Sequence, residues 1–183
     1  MAVCSLAVLT GTSQAVEAVP SMDALVEKFD LTSVSRSSAK FDPDDLKGLN
    51  ARLVHEMPYA DAKGRLDEMG VGGGEAFWTA IRGNCETVND AKGYWQIVGG
   101  PVESRIEDED REFIAKAKEL LPDGEMTLET WGAWTSALKA ETGRKGRGLF
   151  MPLRRVLTGL DHGPDMKDML PLIGRKSILD RLP

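Results

Sequence analysis

The chain has 183 residues, 42% apolar and 28% charged, with a formal net charge of −6. Ordinary globular composition at this length excludes a disordered polyelectrolyte and leaves room for one large domain or two small ones, each able to bury a core. The net acidity argues against a general polyanion binder, and two cysteines with neither CxxC spacing nor paired histidines argue against a metal site or a disulfide framework, which fits a cytoplasmic location.

The opening segment, Met1 to Thr10, is apolar but lacks a basic start and is interrupted by Ser5, unlike a secretory signal; it reads as a degraded helix or leader over residues 1–20. No stretch approaches the ~20 apolar residues of a membrane span, so no membrane partner is expected. The clearest helix opens at Asp42-Pro43, with Asp42 as N-cap, Pro43 at the first helical position and Asp44 and Asp45 favourable to the dipole. Leu46, Leu49, Leu53 and Met57 follow at helical spacing until Pro58 stops the run. A second helix runs from Ala60 to Met69 and ends at Gly70. Glu75 to Arg82 brings Phe77, Trp78 and Ile81 to one side, and Asn89 to Val98 does the same with Ala91, Trp95 and Val98.

Glu107 to Leu121 predicts another helix, with Phe113, Ile114, Ala117, Leu120 and Leu121 inward and Pro122 as its stop. Thr127 is the expected N-cap of the next, with Leu128, Trp131, Thr135 and Leu138 inward. Shorter helical pieces are expected near 152–158, 165–172 and 175–182. No segment alternates with the period of a strand, so the fold class is all-α. The break at Gly99-Gly100-Pro101 marks the expected boundary between two small helical bundles, residues 21–100 and 101–183.

Most candidate chemical motifs favour ordinary structure. Gly70-Val-Gly-Gly-Gly74 lacks the spacing of a phosphate cradle and reads as an interhelix loop. His55 and His162 belong to no metal or catalytic pattern, no cofactor is implied, and no catalytic set can be assembled. Three of the four tryptophans continue apolar stripes. Trp134 falls off the Trp131–Leu138 stripe and either makes an interhelix contact, the leading reading, or stacks on a base.

Charge is segregated along the chain. Glu107, Asp108, Glu109, Asp110 and Glu112 form an acidic run broken only by Arg111, a candidate docking surface for a protein partner. Between Gly143 and Gly159 lie Arg144, Lys145, Arg147, Arg154 and Arg155 with no acid. Glycines there allow close backbone approach, and arginine suits phosphate or a base edge.

The order of residues in this tract is more specific than its composition. Gly143-Arg-Lys-Gly-Arg-Gly-Leu-Phe-Met-Pro-Leu-Arg154, then Leu157-Thr-Gly159, His162-Gly-Pro164, Leu170-Pro-Leu-Ile-Gly174 and Leu179-Asp-Arg-Leu182 resemble the C-terminal signature of bacterial glutamyl-tRNA synthetases. Phe29 to Pro43, Leu49-Asn-Ala-Arg-Leu53 and Thr130-Trp-Gly-Ala-Trp134 are similar to other parts of the same region.

The resemblance implies an all-helical anticodon-binding module with tRNA, the glutamate-accepting one, as partner. It places Arg154 at an anticodon contact, Gly163 to Met166 at a second contacting turn, and Arg82 and Asn84 where the last anticodon position is read. Some members carry at the Asn84 position an arginine that rejects glutamine anticodons, so this chain is expected to discriminate less strictly. The HIGH-like and KMSKS-like motifs of the family's catalytic domain are missing, which implies a non-catalytic chain, excised or free-standing. The rival expectation is a truncated paralogue that serves as a regulatory or protein-interaction domain and no longer binds tRNA.

Overall fold

Capping chemistry sets most helix limits in the computed structural model, which describes residues 1–36 and 42–183. The 37–41 part of the Phe29–Pro43 motif lies outside the described residues. The chain divides into two units: residues 1–69 with 82–91, and residues 70–81 with 92–183. Among the described residues the regular structure is helical, and the one β-type pairing is an isolated bridge between Thr12 and Val34.

The first unit holds α1 (Ala2–Leu9), α2 (Met22–Lys28), α3 (Pro43–Glu56) and α4 (Tyr59–Glu68), with 3-10 turns at Arg82–Asn84 and Val88–Asp90. The Asp42 carboxylate accepts the Asp44 N–H at 2.8 Å, and Pro43 stands first in α3, as the sequence predicts. Ala2 and Leu6 of α1 pack with Leu49 of α3, while Leu9 joins Val19 and Leu25. The Ser5 hydroxyl accepts the Val19 N–H at 3.1 Å, so the opening segment is core to this unit.

The second unit holds α5 (Gly74–Ile81), most of α6 (Ala91–Gly99), α7 (Arg111–Glu119), α8 (Thr130–Thr142), α9 (Arg147–Thr158) and α10 (Met166–Arg181). Phe77, Trp78 and Ile81 are fully buried. The Gly70–Gly74 loop is packed: a Cβ on Gly72 would stand 2.8 Å from the Trp95 ring, and Gly73 takes a positive φ of 78° beside Phe77. Gly174, with φ 76° and ψ 154°, breaks α10 into the two pieces expected around 173.

Three expectations differ from the structure. First, Gly99-Gly100-Pro101 falls inside the second unit, because the buried Arg181 guanidinium donates to the carbonyls of Ile97, Val98 and Gly100 at 2.6–3.4 Å and to that of Leu157 at 2.7 Å. Second, the stripe of α8 is rotated. Trp134, not Trp131, is fully buried, with its Nε1–H donating to the Ala117 carbonyl of α7 at 2.9 Å, whereas Leu128 is exposed. The interhelix reading of Trp134 therefore holds. Third, α8 begins at Thr130 with Glu129 as its cap residue. The Thr127 hydroxyl is spent on a local turn, accepting the Glu129 N–H at 3.3 Å and donating to the Glu129 carboxylate.

Candidate nucleic-acid interface

Helix α9 carries most of the basic tract and accommodates a proline in its interior. Pro152 has no N–H to give Gly148 four residues back, which would leave a carbonyl unpaired inside the helix. Arg144 Nη1 takes that role, donating to the Gly148 carbonyl at 3.3 Å. The same guanidinium donates to the Asp110 carboxylate and, at 3.0 Å, to the Glu109 carbonyl, and its carbon lies 4.5 Å from the centre of the Phe113 ring. Arg144 thus fastens the Gly143–Arg147 loop to the start of α7.

The remaining cations fall into three roles. Lys145 and Arg147 are exposed at the start of α9. Arg155 Nε donates to Asp161 at 2.6 Å and Nη1 to Glu107 at 3.4 Å, so it bridges two acids. Its hydrogen bond holds the Asp161 carboxyl below the ordinary carboxylate range. Both terminal nitrogens of Arg154 donate to the Pro164 carbonyl at 3.0 Å. Burial pushes the Arg154 guanidinium down from its usual value, against the opposing pull of Asp165 and the Tyr94 phenol.

Arg154 therefore holds the turn that precedes α10. Gly163 in that turn has φ 143°, and a Cβ there would lie 3.6 Å from Arg154 Nη1 and 3.7 Å from the Tyr94 ring. Asp165 caps α10 by accepting the Lys167 N–H at 2.8 Å, and Met166 behind it is buried. Arg154, Gly163, Asp165 and Met166 line a surface recess together with Trp131 and Phe150. The two aromatic rings face each other at 6.1 Å with a 35° tilt. Sequence reasoning missed Phe150 and assigned Trp131 to the core; the spacing of Phe150 between Arg147 and Arg154 was the available signal.

The structure thus brings Arg154, Gly163 and Met166 into one recess. Arg147 and Lys145 lie at the start of the helix bearing it, while Arg144 and Arg155 are occupied by ion pairs. Arg82 and Asn84 belong to the first unit. There Arg82 Nη1 donates to the Met57 carbonyl at the end of α3 at 2.9 Å, and Asn84 is exposed on the same 3-10 turn. Three acids of the run make ion pairs: Asp110 with Arg144, Glu107 with Arg155 and Asp108 with Arg111. Asp110 is buried, while Glu107, Asp108, Glu109 and Glu112 remain exposed.

Residues 100–183 match the sequence profile described as an anticodon binding domain. A glutamate–tRNA ligase 1 from Brucella canis is 50% identical over 187 aligned positions, covering all of this chain and 41% of the relative. The chain is homologous to the anticodon-binding region of glutamate–tRNA ligases. A glutamate–tRNA ligase 2 from Brucella melitensis is 49% identical over the same span. A crystal structure of the glutamate–tRNA ligase from Elizabethkingia meningosepticum shares the fold, with a TM-score of 0.78 at 22% identity, covering 99% of this chain and 39% of that one. The chain spans about two-fifths of the length of these glutamate–tRNA ligases. Among the described residues no helix is long and apolar enough to cross a membrane, and no group of acidic, histidine or cysteine side chains is arranged to hold a metal.

Proposed function

We propose that this chain binds the anticodon loop of a tRNA, the glutamate-accepting one, and contributes recognition rather than chemistry to aminoacylation. The observation that carries the reading is the face of α9, on which Arg147 stands exposed and Arg154 anchors the Gly163–Met166 turn beside an open recess. A loop whose bases are splayed out is recognised by polar and aromatic groups around such a recess, while neighbouring cations hold its phosphates. The acidic whole is no obstacle, since a local field, not net charge, governs contact at short range.

Lys145 and Arg147 are assigned to phosphates. Arg154 is assigned to the loop both directly and through the turn it holds. Arg144 and Arg155, each committed to carboxylates, support the interface. Asn84 stands where the family resemblance implies the last anticodon position is read, and it carries no charge there, so glutamate and glutamine anticodon loops are expected to compete comparably for the protein. Replacing Lys145 and Arg147 together with glutamine tests the phosphate assignment. The double variant should bind tRNA more weakly, and its log–log salt slope should flatten by about 0.7 for each phosphate no longer neutralised. An unchanged slope and affinity would remove both residues from the interface.

A further inference from the structure

Three side chains on α9 share one face. Arg147, Phe150 and Arg154 stand at i, i+3 and i+7, the spacing that stacks residues along one side of a helix. Phe150, between the two cations, is 44% exposed, a large aromatic surface that the second unit does not cover. Behind it the packing is firm. Trp131 meets Phe150 at 6.1 Å and, on its other side, packs edge-on at 6.0 Å and 75° against Trp134. Trp134 is itself fixed by burial and by the hydrogen bond from its Nε1–H to Ala117. The exposed ring therefore rests against a braced pair of indole rings. On the far side of the recess, Arg154 is drawn to the Pro164 carbonyl, which keeps its guanidinium on the wall, and Gly163 adds no side chain to fill the space.

We infer that Phe150, backed by Trp131, is a stacking platform for one unpaired nucleobase of the RNA loop, with Arg147 beside it for the adjoining phosphate. This rests on the proposed function and adds the residues that would supply its sequence-tolerant affinity. Phe150 offers an exposed aromatic ring, whose π-system any base can use, and arginines stand on either side of it along the helix, which suits a polyanion with planar bases. An apolar peptide side chain would fit the ring but would leave the flanking cations without purpose.

The test is binding of a glutamate tRNA anticodon stem-loop to Phe150→Leu, Phe150→Ala and Phe150→Tyr, across a range of salt. Leucine keeps the apolar bulk and removes the π-face; tyrosine restores it. The Leu and Ala variants should bind about five- to a hundred-fold more weakly, the loss typical of one stacked base. Tyr should remain near wild type, and the salt slope should be the same in all four proteins. A second arm uses stem-loops with one abasic site at each loop position in turn. At one position the abasic RNA should bind wild type and Phe150→Leu equally, because the stacked base is already gone. Wild-type affinity in Phe150→Leu, or equal relative losses in both proteins at every abasic position, would overturn the platform while leaving tRNA binding in place. Failure of wild-type protein to bind the stem-loop at all would overturn both.

Discussion

Arg181 has no carboxylate partner among the described residues, yet it is buried, and burial pushes its pKa down. Its compensation is geometric. The guanidinium sits where the carbonyls at the end of α6 and the carbonyl of Leu157 in the last turn of α9 lack intrahelical donors, and it satisfies Ile97, Val98, Gly100 and Leu157 together. Helix C-termini carry partial negative charge, so the cation also suits the local field. Arg181→Met removes these donors from buried acceptors and should destabilise the second unit by about 3 kcal/mol. The urea midpoint measures this, and a shift equivalent to less than about 0.5 kcal/mol would show that the carbonyls find other partners. Cys85 belongs to the same scale: burial, aided by Asp90, pushes its thiol up to about 12, which keeps it protonated and inert at neutral pH. The tryptophans show how far the residue scale was legible. Periodicity placed all four in helices, but the rotation of α8 depended on whether Trp131 or Trp134 found an acceptor for its indole N–H, and Ala117, seventeen residues upstream, decided that.

Elements were legible where a local signal ends them. Asp42 and Pro58 bracket α3, and Pro122 closes the run after α7, because caps and missing donors act through adjacent residues. The start of α9 was not legible. Pro152 reads as an opening residue, yet it stands five residues into the helix, where the Arg144 side chain supplies a donor to the Gly148 carbonyl. The end of α9 is sharper. Gly159 caps it with φ 72°, and the extended 101–106 segment runs alongside. There the Ser104 hydroxyl donates to the Val156 carbonyl at 2.7 Å and the Arg105 N–H donates to the Arg155 carbonyl at 3.4 Å. A Cβ at 159 would stand 2.9 Å from the Glu103 carbonyl oxygen. Gly159→Ala should therefore cost about 2 kcal/mol, combining left-handed strain with displacement of that segment. Thermal unfolding checks this, and a melting temperature equal to wild type would mean that the segment moves aside freely.

At the scale of the whole molecule, the sequence separates acids at 107–112 from bases at 143–159. Folding interleaves them, since Asp110 meets Arg144 and Glu107 meets Arg155 across a separation of 34 and 48 residues. No local pattern encodes pairings of that span. The acidic run therefore helps to hold the basic tract in place, and Lys145 and Arg147 are left exposed, which is why they are proposed to meet phosphates. The division into units was equally hidden: α5 belongs with residues 92–183, and the segment after α6 is held by Arg181, so the glycines at 99–100 do not mark a hinge. What the sequence carried clearly was the ordered motif from Gly143 to Leu182, because close backbone turns and fixed contacts constrain residue order more tightly than composition does.

The recess of the second unit is proposed to engage an anticodon loop. The most direct measurement is equilibrium binding of glutamate tRNA, against the same tRNA with its anticodon loop scrambled, at two salt concentrations. The native loop should bind more tightly at both salts, with affinity falling along a log–log slope of about −0.7 per phosphate engaged. Equal binding of the two RNAs, or binding of neither by folded protein, would contradict that proposal.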